Sequence, residues 1–98
     1  MATFMMTISF TEQGIRTIRD APKRIEAARQ LAKQLGIEIK QLYLTSGESD
    51  MVSFLEASNG DNVAKFALAI GSRGHVRTRT ARAWPEAEFT RMVGELPV

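Results

Sequence analysis

Leu42-Tyr43-Leu44-Thr45-Ser46-Gly47-Glu48-Ser49-Asp50-Met51-Val52-Ser53-Phe54 sets the architecture of this chain. Two apolar, strand-like runs flank a polar link that holds a glycine and an acid, which predicts a β-hairpin. The run before the link, Ile37 to Thr45, changes parity: Ile37 and Ile39 fall on one side, Leu42 and Leu44 on the other. Such a switch predicts a β-bulge near Lys40 or a twisting edge strand. The run after it, Met51 to Ala57, has apolar groups on both faces, as a central strand has.

Moving outward from the hairpin, each side reads as strand and helix. Toward the N-terminus, Thr3 to Phe10 alternates, with Phe4, Met6, Ile8 and Phe10 on one face, so it predicts a half-buried strand. Thr11 suits the N-cap of a short helical turn with Ile15 and Ile18 as its apolar edge, and Asp20 suits the cap of the next helix. From Pro22 to Leu35 the spacing of Ile25, Ala28, Leu31, Ala32 and Leu35 is helical, and Gly36 sits where a left-handed residue stops the helix. Toward the C-terminus, Ser58-Asn59-Gly60-Asp61 is turn chemistry, with Asp61 suited to a helix's positive end. Val63, Phe66, Ala67 and Ile70 form the stripe of a second helix. His75 to Ala83 predicts a fourth strand, with His75, Arg77 and Arg79 sharing a parity that points away from the helices. Phe89, Met92, Val93 and Leu96 predict a closing amphipathic helix, with Trp84 packing it onto the sheet.

The order strand, helix, strand, strand, helix, strand, helix predicts an α+β, ferredoxin-like βαββαβ fold with an extra C-terminal helix and a four-stranded, antiparallel-type sheet. Right-handed crossovers place the first and third strands side by side, read here as parallel, with the second and fourth at the edges and both long helices on one face. The other face stays open. Met5, the Met51 parity and Tyr43 make it too apolar for water, which predicts closure against a second copy, as a homodimer or a higher homo-oligomer.

Length and composition fit one domain over residues 1–98. Hydrophobic residues are 44% and charged residues 24%, ordinary values for a globular protein, and the absence of cysteine excludes disulfides, thiolate metal sites and a cysteine nucleophile. No apolar run reaches the roughly 20 residues of a membrane helix, and Met1 to Phe10 lacks the basic leader of a signal peptide. A cytoplasmic protein without membrane contact is expected. Between Asn62 and Pro85 the charges are Lys65, Arg73, Arg77, Arg79 and Arg82, with no acid among them.

Four segments carry a resemblance: Phe10-Thr11-Glu12-Gln13-Gly14-Ile15-Arg16, Ala21-Pro22-Lys23-Arg24, Gly47-Glu48-Ser49-Asp50 and Val76-Arg77-Thr78. In this order they resemble the GYD domain family, small bacterial and archaeal proteins related to the dimeric α/β barrel group. The resemblance implies that fold and self-association, and no settled activity. The family's hairpin reads Gly-x-Tyr-Asp, whereas here Ser49 stands at the tyrosine position between Gly47 and Asp50. The hairpin also resembles that of the effector domains of leucine-responsive regulators, where a Gly-x-x-Asp turn lies at a subunit interface beside small effectors.

The candidate ligand-binding residues are Tyr43, Asp50, His75 and Arg77. Asp50 can cap backbone N–H groups in the turn, the commoner use, or grip a ligand amine or act as a base. His75 is the only histidine, too few for a transition-metal site. Arg77 presents a planar fork to a carboxylate or phosphate, or serves as an edge charge that discourages strand addition. No phosphate loop, nucleophile elbow or dinucleotide fingerprint is present, so neither cofactor nor metal is expected. Three functions rank in this order: an oligomeric module binding a small anionic metabolite in the sheet cleft, a cofactor-independent oxygenase or isomerase with His75 or Asp50 as base, and a nucleic-acid binder using Arg73 to Arg82.

Overall fold

The computed structural model describes residues 1–97. The strands are β1 (Ala2–Phe10), β2 (Glu38–Leu44), β3 (Met51–Ala57) and β4 (Val76–Ala83). The helices are α1 (Glu12–Arg16), α2 (Ala21–Gln34), α3 (Gly60–Ser72) and α4 (Glu86–Gly94), with a 3-10 turn at Ile18–Asp20. The sheet order is β2-β3-β1-β4 and every neighbouring pair is antiparallel. This is the expected βαββαβ order, with one correction. β1 and β3 are adjacent but antiparallel, with Met5 opposite Phe54 and Ile8 opposite Met51. The helical crossover makes β1 and β2 run the same way, and the hairpin inserts β3 between them in the opposite direction.

The hairpin forms as read. Thr45 N–H donates to Asp50 O at 2.8 Å, and the Thr45 hydroxyl donates to Ser49 O. The register slips between Ile39 and Gln41, so Lys40 is the bulge and the parity switch of β2 follows from it.

Met6, Ile8, Met51, Leu55 and Ala57 point from the central strands to the helices and bury there with Ala32, Val63 and Phe66. Met6, Leu55 and Val63 are the largest fully buried side chains, each contributing about 1.5–3 kcal/mol of transfer free energy. Met51 is only 9% exposed in this core, so its parity is the helix side and not the open face. The apolar groups that β3 gives the open face are Val52 and Phe54, each paired across to that face of β1.

The caps differ in part from the expected ones. Thr11 caps α1 by accepting from Gly14 N–H at 3.0 Å, and Gly36 ends α2 with φ +70°. Asp20 makes no side-chain cap, because the 3-10 turn already carries the chain into α2. Asn59 caps α3, accepting from Asn62 N–H at 3.0 Å, and Asp61 lies in the first turn at the helix's positive end, as expected. Ile15 and Ile18 are about half exposed and neither joins the core. α4 is helical as expected, but Phe89, Val93 and Leu96 are exposed. Trp84 is 47% exposed and takes the Arg82 guanidinium over its ring at 4.7 Å.

Candidate functional site

Two surfaces carry the residues singled out above, one on each side of the sheet. On the open side, pairing places Tyr43, Val52, Thr7 and Arg79 in one row across β2, β3, β1 and β4. The next row is Gln41, Phe54, Met5 and Ala81, and beyond it come Glu38, Glu56, Thr3 and Ala83. Arg77, opposite Ser9, extends the face at the other end. The centre is therefore apolar, one corner holds Arg77 and Arg79, and the diagonal corner holds Glu38 and Glu56.

The two corners differ in how their charges are used. Lys40 Nζ lies 3.2 Å from Glu38 Oε1, which leaves Glu56 as the acid without an ion pair there. This hydrogen bond to Glu38, then the charges of Glu38 and Glu56, hold the Lys40 ammonium above its ordinary pKa. Arg77 and Arg79 make no ion pair among the described residues.

The four candidate ligand residues do not converge within one chain. Tyr43 is 53% exposed on edge strand β2, and Arg77 is on the opposite edge, β4. Three interstrand steps of about 4.8 Å separate these edges. The Tyr43 hydroxyl makes no hydrogen bond among the described residues. Asp50 is committed to the fold: its Oδ2 accepts the Phe10 N–H at 2.8 Å, and its own N–H donates to Ile8 O at 3.0 Å.

His75 does not share the open face with Arg77. It precedes β4, just after Gly74 turns with φ +88°, so strand alternation does not reach it. Its carbonyl accepts Thr11 N–H at 3.0 Å. The residue lines a cleft between α2 and α3 on the helix side, and its Nδ1 is buried without a hydrogen-bond partner among the described residues. The periodicity of the chain does not mark this cleft. The alanines at positions 21 and 28, facing it from α2, were its only signal.

The basic stretch is likewise divided. Arg73 borders the cleft, Arg77 and Arg79 lie on the open face, and Arg82 lies over Phe4 and Trp84 while donating to Thr3 O and Ala83 O. Among the described residues, no group of three or more His, Asp or Glu side chains is placed to hold a metal, and no helix is long and apolar enough to cross a membrane.

These features define a ferredoxin-like α+β domain with one bare sheet face. The chain belongs to the GYD domain family, whose model matches residues 4–93. It is 34% identical over 90 residues to the glutamine synthetase and cystathionine beta-lyase binding protein of Thermus thermophilus, covering 91% of this chain and 95% of that protein. Among solved structures, the feast or famine regulatory protein of Mycobacterium tuberculosis complexed with L-methionine is similar, with a TM-score of 0.63 and 18% identity. That match covers 87% of this chain and 51% of the regulator, so the chain spans about half the regulator's length. TTHA0845 of Thermus thermophilus matches with a TM-score of 0.55 and 20% identity over 87% of this chain and 95% of that one. At these identities the structural likeness shows the fold.

Proposed function

We propose that this protein is a cytoplasmic, oligomeric binding module that associates with itself through its open sheet face, holds a small anionic metabolite at the rim of that face and binds an enzyme partner. One observation carries the reading: an uncovered face with an apolar centre at Val52, Phe54 and Met5, flanked by arginines without ion pairs. Apolar surface of this kind favours a protein partner, and a free guanidinium favours a carboxylate or phosphate. The relative's name supports an enzyme as the partner and makes glutamine synthetase and cystathionine beta-lyase the first to try. Tyr43 and Arg77 sit on opposite edges of the sheet, so Arg77, and not Tyr43, is the residue proposed to hold the anion. Asp50 then acts as a support of the hairpin, and His75 is dropped from this site. A cofactor-independent enzyme is less well supported, because Asp50 is engaged with Phe10 N–H and His75 lies on the helix side.

The test is solution mass combined with capture. The chain is expected to sediment as two or more copies, and to retain one of the two named enzymes from the same cell when purified enzyme is mixed with it. Arg77→Ala is expected to abolish the thermal stabilisation by an anionic metabolite bound at the open face, while keeping the native circular dichroism. A single-chain mass would remove the open-face reading. Failure to retain either enzyme would remove the proposed partner.

A further inference from the structure

The helix side of the sheet holds a second feature, independent of the open face. A cleft of about 100 Å³ lies between α2 and α3. Its floor is Met6, Ile8 and Met51 from the sheet, and its walls include Ala28 from α2 and Ile70 from α3. The opening has the reverse character: Arg29 and Arg73 are exposed at its border.

The cations there are not equally available. Arg24 is occupied, donating to Thr17 O, Thr17 Oγ1 and Gly14 O at 2.9–3.1 Å. Arg29 and Arg73 make neither an ion pair nor a side-chain hydrogen bond among the described residues. Lys23 adds a further positive charge beside Arg73 and His75, and Asp20 is the one acid bordering that end. The local field therefore favours an anion. His75 lines the same end, and its buried Nδ1 lacks the partner that buried polar atoms normally have.

An apolar interior below a cationic mouth selects an amphipathic anion. A cavity of ~150 Å³ admits a benzene ring, so this smaller space suits a narrower, aliphatic group. Ser53, the buried polar residue in the floor, already donates to Gln41 O at 2.9 Å and asks nothing of a ligand. We propose that the cleft between α2 and α3 binds a short-chain aliphatic carboxylate, with its chain over Met6 and Ile8 and its carboxylate at Arg73 and His75.

Because His75 is the only histidine, its ring nitrogen resonances in histidine-labelled protein report on this cleft alone. The probes are butanoate, hexanoate and octanoate, with the alcohols of matching length as controls. At millimolar concentration at least one carboxylate is expected to shift the His75 signals saturably, and its alcohol to bind at least about tenfold more weakly. Arg73→Ala is expected to weaken the carboxylate by about tenfold, and Arg77→Ala, on the open face, to leave it unchanged. Ala28→Leu fills the space and is expected to abolish binding while raising the melting temperature. A fold that tolerates this leucine and still binds the carboxylate overturns the proposal. So does alcohol binding equal to carboxylate binding, an absent His75 response, an Arg73→Ala variant with native affinity, or a response lost in Arg77→Ala.

Discussion

Asp50 connects the hairpin to the strand beside it. β1 runs on to Phe10 past Met51, the first residue of β3, so the Phe10 N–H has no strand partner on that side and takes Asp50 Oδ2 at 2.8 Å. Asp50→Ala leaves that half-buried donor unpaired and is expected to destabilise the chain by about 1–3 kcal/mol in urea unfolding. Asp50→Asn keeps an acceptor and is expected to lose less; equal losses would mean that charge, not acceptance, is what matters. That an aspartate in a turn binds backbone N–H groups was legible in the sequence. Its partner, Phe10, was not, because nothing local relates residues so far apart. Lys40 was legible as a bulge, while its electrostatic role depends on the register. Its raised pKa has a defined sign: the stabilisation is fully present below the ordinary value of 10.5 and is lost as pH rises through the higher folded value. In low salt the melting temperature is therefore expected to fall more steeply above that pH in the native chain than in Lys40→Met. The difference should shrink as salt screens this exposed group.

At the scale of elements, α1 is docked by backbone. Thr11 N–H donates to His75 O at 3.0 Å and Thr11 Oγ1 donates to Gly74 O at 2.6 Å. A β-carbon on Gly14 would lie 2.0 Å from His75 O, so only glycine fits this approach. Gly14→Ala is expected to cost about 1–3 kcal/mol through forced separation, and to speed hydrogen exchange at Thr11 N–H. Native exchange at Thr11 in that variant would show that the loop can shift without losing the contact. The same region shows why part of the site stayed hidden. Parity within a strand is reliable, and Arg77 and Arg79 do share a face. It fails one residue before the strand, where Gly74 redirects the chain and sends His75 to the other side. α4 shows a second limit. Periodicity identified Phe89 and Val93 as an apolar stripe, but it carries no information about what covers that stripe, and within one chain both are exposed.

For the whole molecule, the element order was legible because each strand and helix has its own period, whereas strand direction depended on following the chain through the crossover. That direction settles the pattern on the open face. With β3 antiparallel to both neighbours, Arg77 and Arg79 occupy one corner, and Glu38 and Glu56 the diagonal one, with Val52, Phe54 and Met5 between. A face with opposite charges at diagonal corners complements itself. In the proposed dimer, a two-fold axis in the plane of the face, crossing the line between the corners, would bring each arginine corner onto the glutamates of the second copy. Lys40 offsets Glu38, so Glu56, which has no ion pair among the described residues, is the acid left for this pairing. Arg79→Glu should then set like charges against each other and weaken self-association by about tenfold or more, as read by sedimentation over a dilution series. Glu56→Arg alone should weaken it as well. Combining the two reverses both corners and is expected to restore much of the lost affinity, which independent surface effects would not do. If the double variant is weaker than either single one, the copies meet in another orientation, and the diagonal charges face water or a different partner.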